Sequence, residues 1–272
     1  VTDMPTRLPT YYLSHGGGPW PWMKDQMPFD MAPLERSLQA MPAEIGTTPK
    51  AVLVVSAHWE APVLTVQSHP NPPMVYDYGG FPDFTYHIRY PAPGSPEVAA
   101  RVTELLDAAG IANRTDPDRG FDHGMYAPMY PAWPAADVPM LQLSIRHDYD
   151  PDAHLAAGRA LAPLRDEGVV IVGSGLSFHN LRLLGPAGRE PSRQFDAWLD
   201  GALRAAPAER VEALRRWEAA PSARVAHPAE DHLVPLFVAV GAAEADVATR
   251  TYHEATFAGA ITASSYRFDA PR

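Results

Sequence analysis

The run AVLVVSA (Ala51–Ala57) constrains the fold more than any other part of the chain. It is apolar without interruption, rich in β-branched valine and too short to be a solitary helix. Such a run reads as a strand buried on both faces, inside a parallel sheet covered by helices. VVIVGSG (Val169–Gly175), PMLQLSI (Pro139–Ile145) and the shorter TYYLS (Thr10–Ser14) are strand candidates of the same kind. Helix signals fall between them. Ser95-Pro96-Glu97 reads as an N-cap, a first-turn proline and an acidic first turn, with Val98, Val102, Leu105 and Leu106 on one face. Asp150-Pro151 opens a helix expected to end near Gly168, and further helices are expected at about 191–205 and 207–219. His227-Pro228 is expected to start one more, with Leu233, Leu236, Phe237 and Val240 turned inward. The tail reads as two strands, 251–257 and 260–268, joined around Ala258-Gly259. Segment 68–94, dense in proline, glycine and aromatics, reads as a long ordered loop over one sheet edge. The alternation predicts an α/β fold: a single domain over 1–272 with a central, mainly parallel or mixed sheet and helices on both faces.

Composition removes several function classes. The formal net charge of −10 gives no basic footprint for nucleic acid. No apolar run reaches the length of a membrane span, and the opening VTDMPTRLPT lacks the apolar segment of a signal peptide, so a cytoplasmic protein is expected. The chain has 0 cysteines, which excludes disulfides, thiolate nucleophiles and cysteine-based metal sites. Any metal must be held by imidazole and carboxylate, and 11 histidines are available.

In an open α/β sheet, ligands gather beyond the carboxyl ends of the strands. His15 follows TYYLS, His58 follows AVLVVSA, and His179 follows VVIVGSG in GSGLSFHN. His232 is expected in the first turns of the late helix, with Glu230 and Asp231 beside it, and His123 in a loop between Asp122 and Gly124. One histidine after a strand is commonly structural. Three at one topological position converge if their strands are parallel neighbours. Two neutral imidazoles plus a third ligand, with open positions left over, form a catalytic metal site rather than a structural one. His154 has the spacing of a solvated helix face, and His69, His87, His147 and His253 have no comparable setting.

The glycines of SHGGGPW (Ser14–Trp20) permit a tight turn or a nest of N–H groups. In lipases and esterases HGGG builds an oxyanion hole, but only together with a G-x-S-x-G elbow. Gly173-Ser174-Gly175-Leu176-Ser177 is the nearest approach and does not match, which argues against a serine hydrolase.

These strings, with VVSAHWE, YDYGGFPDFTYHIRYPAPGSPEVA, GFDHGMYAP, VPMLQLSI, VGSGLSFHNLR and EDHLVPLF, run in order over nearly the whole chain. Together they resemble the class III extradiol ring-cleavage dioxygenases, most closely the 4,5-DOPA extradiol branch. The resemblance implies a metal held by His15, His58 and a third ligand, His232, with Glu230 as the alternative that protocatechuate-type relatives use. It implies that His179 is the acid–base residue, close enough to ligate when no substrate is bound, and that His123 lies near substrate or oxygen. It implies Fe(II) as the working metal, with Zn(II) an occupant after purification, and a catechol and O2 as partners. A catechol would pass protons to His179 and recover one as the ring opens to a semialdehyde. The ligand imidazoles must be neutral, so metal binding should weaken at acid pH. Plant members carry a longer H-P-x-x-[ND]-x-T-P-x-H run where this chain has HPAEDH (His227–His232), so the substrate does not carry over. Trp20, Trp59, Phe81 and Tyr126 are candidate pocket walls or ordinary core aromatics. A zinc-dependent hydrolase on the same ligands and a non-catalytic binding protein are the competing functions; monomer and homodimer both remain open.

Overall fold

The computed structural model describes residues 7–270. Residues 1–6, which hold much of the opening segment read against a signal peptide, lie outside the described residues. The elements run β1 (Thr10–Ser14), α1 (Ala32–Ile45), β2 (Ala51–Ala61), β3 (Leu64–Gln67), α2 (Pro96–Ala108), β4 (Asn113–Asp116), α3 (His123–Ala132) and β5 (Met140–Arg146). The second half adds α4 (Pro151–Leu161), β6 (Val169–Gly175), α5 (Arg189–Arg204), α6 (Pro207–Arg215), α7 (Ala223–Ala226), α8 (Val234–Gly241), β7 (Val247–Phe257) and β8 (Ile261–Asp269). All strands join one mixed sheet in the order β4-β3-β5-β2-β6-β1-β8-β7.

The continuous apolar runs sit where burial is deepest. β2, β6 and β1 are adjacent and parallel at the sheet centre, and β5 flanks β2 in the same direction. Helices cover both faces, as β6 demonstrates. Ser174 Oγ–H donates to the Gly124 carbonyl at the start of α3. Its neighbour Gly173 points to the other face. There α8 lies so close that a Cβ on Gly173 would stand 2.3 Å from the Pro235 carbonyl oxygen. The α/β expectation is borne out, including the terminal antiparallel pair. Among the described residues, no helix is long and apolar enough to cross a membrane.

Several boundaries differ from expectation. The helix after Asp150 ends at Leu161 and gives way to a 3-10 turn at Ala162–Arg165. The stretch after His227-Pro228 stays in turns until α8 begins at Val234. Segment 68–94 holds a 3-10 turn at Asp83–Tyr86 and bridges the chain at Met74–Phe121. It carries Asp77 to the carboxyl ends of the central strands, so it does more than cover a sheet edge.

The α8 contact is a backbone carbonyl that cannot swing aside. Gly173→Ala is expected to destabilise by about 1–3 kcal/mol through overpacking. The check is a lower urea midpoint at unchanged slope; an unmoved midpoint would mean that α8 does not abut this strand.

Candidate metal centre

The strand register brings the histidines together. Ser14 stands opposite Gly175 and Ser56 opposite Ser174, so β1 and β6 end level with one another and the pairing of β2 with β6 stops beside them. His15 follows β1 at once and donates its backbone N–H to the Gly175 carbonyl (2.9 Å). His58 is aimed by a bulge. β2 pairs with β5 up to Ser56–Ser144 and resumes at Glu60–Ile145, leaving Ala57, His58 and Trp59 out of the ladder. His232 comes from the turn before α8. Its carbonyl accepts from the Tyr12 hydroxyl (2.8 Å) and the Leu176 N–H (3.2 Å).

The Nε2 atom of His58 lies 3.3 Å from Nε2 of His15 and 3.2 Å from Nε2 of His232. Each ring is tied at its other nitrogen. His232 Nδ1–H donates to Asp231 Oδ2 (2.7 Å). His15 Nδ1 meets Ser174 Oγ at 3.1 Å. The Ser174 proton is committed to Gly124, so this oxygen accepts and His15 Nδ1 carries the hydrogen. His58 Nδ1 faces Asp77 Oδ2 at 3.4 Å, and a carboxylate can only accept. His15 and His232 therefore present bare Nε2 lone pairs toward His58, and with the His58 hydrogen on the Asp77 side all three Nε2 atoms would be bare. That arrangement is repulsive unless a cation lies among them. A metal about 2.0–2.1 Å from each imidazole nitrogen sets nitrogen–nitrogen edges of about 3.0–3.4 Å, so this donor set fits.

The electrostatics agree. Burial, and then the neighbouring rings, hold His15 and His232 well below the ordinary histidine value. Burial followed by His123 holds His58 to about 4, although Asp122, Asp77 and Asp231 oppose the shift. These rings are neutral at physiological pH, which is the state a metal requires.

Two more histidines border the same space. His123 opens α3 rather than lying in a loop; its Nδ1 donates to Asp77 Oδ1 (2.8 Å) and its ring centroid is 3.9 Å from that of His58. His179 stacks on His232 with centroids 3.4 Å apart, and its Nδ1 faces Asp231 Oδ1 at 3.8 Å. Burial lowers His179 to about 4, opposed by Asp231. Each carboxylate thus serves a pair: Asp77 between His58 and His123, Asp231 between His232 and His179. One ligand atom from each of His15, His58 and His123 lies within 4.8 Å of the others, and the same holds for His179, Asp231 and His232. Beneath them Asp122 is buried and fully engaged, accepting from Ser56 (2.7 Å), Arg119 (2.8 Å) and Gln142 (2.6 Å).

Above the rings is a cavity of about 240 Å³, at the small end of ligand sites. Its walls are Phe29, Leu176, Leu181, Leu184, Phe257 and Ala258, with Gly16–Gly18 at one side. Gly16 has φ +85, and a Cβ there would stand 2.6 Å from the Trp20 ring.

With this geometry in view, comparison with known proteins is decisive. The family model for the catalytic LigB subunit of aromatic ring-opening dioxygenase matches residues 10–269. The chain belongs to this family. It is 38% identical over 265 residues to a 4,5-DOPA dioxygenase extradiol of Beta vulgaris, covering 95% of this chain and 96% of that one. It is 42% identical over 181 residues to the protein of that name from Escherichia coli, covering 65% and 62%. A crystal structure of an uncharacterized Escherichia coli K12 protein superposes with a TM-score of 0.78 at 29% identity, over 96% of this chain and 99% of that one. The chain is accordingly an extradiol aromatic ring-opening dioxygenase, as the motifs led one to expect. This LigB-type membership implies a metal, a small aromatic substrate and dioxygen.

Within this family member some expected residues fall elsewhere. Glu230 is turned onto Arg224 (2.6 Å), away from the rings. Trp20, Trp59, Phe81 and Tyr126 do not line the cavity. Trp20 is buried and donates to the His15 carbonyl (2.8 Å), Trp59 lies under Arg119, and Phe81 packs against Gly18. His154 is fully buried, not solvated: Nδ1 donates to the Asp150 carbonyl (2.7 Å) and Nε2 accepts from the Arg146 N–H (3.0 Å). Asp77 carries no signal of its own in the sequence beyond lying in the YDYGG string.

His227 is buried apart from the cluster, with Nε2–H on the Ser177 carbonyl (3.1 Å). Burial lowers it to about 3 from 6.5, against that hydrogen bond. The unfolded chain takes up this proton below about pH 6.5 and the folded chain does not until about 3. Stability is therefore lost as pH falls through that window, by up to about 1.4 kcal/mol per unit. His227→Gln is expected to flatten the acid limb of a stability–pH curve; an unchanged slope would show that His227 protonates freely in the folded state.

Proposed function

We propose that this enzyme cleaves a catechol ring next to its hydroxylated carbons, using Fe(II) held by Nε2 of His15, His58 and His232. The observation that carries this reading is the convergence of three imidazole Nε2 atoms, with His15 and His232 hydrogen-bonded at Nδ1 and His58 Nδ1 facing Asp77. When bound, the metal would supply a Lewis-acidic centre that acidifies the catechol and brings it together with dioxygen.

The residues of the chain supply the proton chemistry. His179 is neutral near pH 7, with Nδ1 toward Asp231 and Nε2 left to take a catechol proton. On gaining it, the ring becomes a cation beside Asp231 Oδ1, a buried oxygen without a hydrogen-bond partner. That carboxylate stabilises the protonated form until the proton returns to the oxygen released as the ring opens. His123, tied to Asp77 through Nδ1–H, keeps the Nε2 lone pair to accept a hydrogen bond from the substrate side of the cavity. The apolar walls exclude competing water. A hydrolase using the same nitrogens would not consume oxygen, so oxygen dependence separates the two functions.

Fe(II)-loaded protein mixed anaerobically with a catechol and then given oxygen is expected to consume it and form a yellow semialdehyde. Neither change across a panel of catechols would reject the reading. His179→Ala should lower turnover by roughly 10²–10⁴-fold with metal retained; full turnover would remove its acid–base role. In metal competition, His15→Ala and His58→Ala should lose bound metal. Asp231→Ala should bind it about 10–100-fold more weakly, because the His232 ring is then free to turn. Wild-type affinity in these variants would place the metal elsewhere.

A further inference from the structure

The cavity over the histidines is apolar on every side but its floor. Phe29 comes from the loop ahead of α1, Leu176, Leu181 and Leu184 from the chain after β6, and Phe257 from the β7–β8 hairpin. No lysine, arginine, aspartate or glutamate is among the lining residues. Leu181 and Leu184 are 65% and 43% exposed, among the few large apolar side chains facing water in the described residues. A single exposed leucine means nothing. Two on one short turn, continuous with apolar cavity walls, make an apolar mouth to a cavity whose own lining, among the described residues, holds no charged side chain.

We propose that the ring this enzyme opens carries an uncharged, apolar substituent, selected by Leu181, Leu184 and Phe29; this rests on the ring-cleavage reading above. The relatives are named for DOPA, whose side chain is an amino acid with a carboxylate and an ammonium. Seating both ions against these walls would strip their water without offering counter-charges, and unpaired buried ions are strongly disfavoured. An alkyl or similar substituent loses nothing polar and gains contact with leucine and phenylalanine. A rival site lies beside it among the described residues. Arg182 and Asp231 line an adjoining groove with Asn180 and Pro228, and His179 and Leu181 border both spaces. A carboxylate held there by Arg182 is the outcome that opposes the proposal.

The test separates binding from turnover. Zn(II)-loaded protein is titrated calorimetrically with 4-methylcatechol, 4-ethylcatechol, L-DOPA and 3,4-dihydroxyphenylacetate. 4-Ethylcatechol should bind about fourfold tighter than 4-methylcatechol, the worth of one buried methylene, and both should bind tighter than the charged pair. Leu184→Arg should reverse that order, and Arg182→Ala should leave it unchanged. With Fe(II) and oxygen, kcat/KM should rank the four in the same way. Tighter binding of either charged catechol, lost in Arg182→Ala, would overturn the proposal in favour of a carboxylate clamp. Preferred binding of the alkylcatechols with no oxygen uptake would remove the ring-cleavage reading and leave the apolar specificity in place. Failure to bind any of the four would overturn both.

Discussion

The Nε2 atom of His58 stands 3.2–3.3 Å from those of His15 and His232, and the rest of the site holds the three imidazoles there. Left to themselves the rings would turn apart or take up protons. Ser174, Asp231 and Asp77 prevent the first by fixing each Nδ1. Burial prevents the second, because a charged imidazole would have no water around it. A site assembled this way costs stability in the metal-free protein. The offset comes from the apolar strands below it, which are buried on both faces and need no help from the site to pair.

The carboxylates extend the same logic to the candidate acid–base residues. Asp77 and Asp231 each touch one candidate ligand and one candidate proton carrier. A movement of either carboxylate would therefore disturb binding and proton transfer together. Asp77 sits in a loop rather than on a strand, and Pro70, Pro72, Pro73 and Pro82 stiffen that loop by fixing φ. The Phe121–Pro73 and Val75–Phe121 backbone hydrogen bonds, both 2.7 Å, tie it to the start of α3. The proline-rich stretch thus acts as a rigid arm, which a positioning carboxylate needs.

Much of this was legible in the sequence, and the exceptions share physical causes. Central strands declared themselves because burial on both faces leaves an unbroken apolar run. The edge strand β4 and its neighbour β3 did not: each is four residues long, and NRTD of β4 is polar because it faces water. α1 and α3 were hidden by their own prolines, Pro42 in one and Pro128 and Pro131 in the other, which read as helix breakers. α3 also lacks a polar face, so it shows no helical period. His15, His58 and His179 could be placed from strand ends alone, since the topology decides where strands finish. The bulge that aims His58 and the pairing of His15 with Ser174, of His58 and His123 with Asp77 and of His179 with Asp231 depend on contacts between distant segments, and no spacing encodes those.

The division of labour inside the cavity argues for where specificity lies. Asp77, Asp122 and Asp231 stand behind the histidines, reaching the rings at Nδ1 or supporting them from below. Among the described residues no charged side chain lines the cavity itself; Arg182 stands in the groove beside it. The chemistry is therefore set by the floor, which a ring-opening family can keep while its members change substrates. Selection falls to the walls, drawn from the chain after β6, the β7–β8 hairpin and the loop before α1. These are surface connections, where a leucine can become an arginine without disturbing the sheet. In this chain they are leucine and phenylalanine, so what they reward is apolar contact and what they penalise is an unpaired ion.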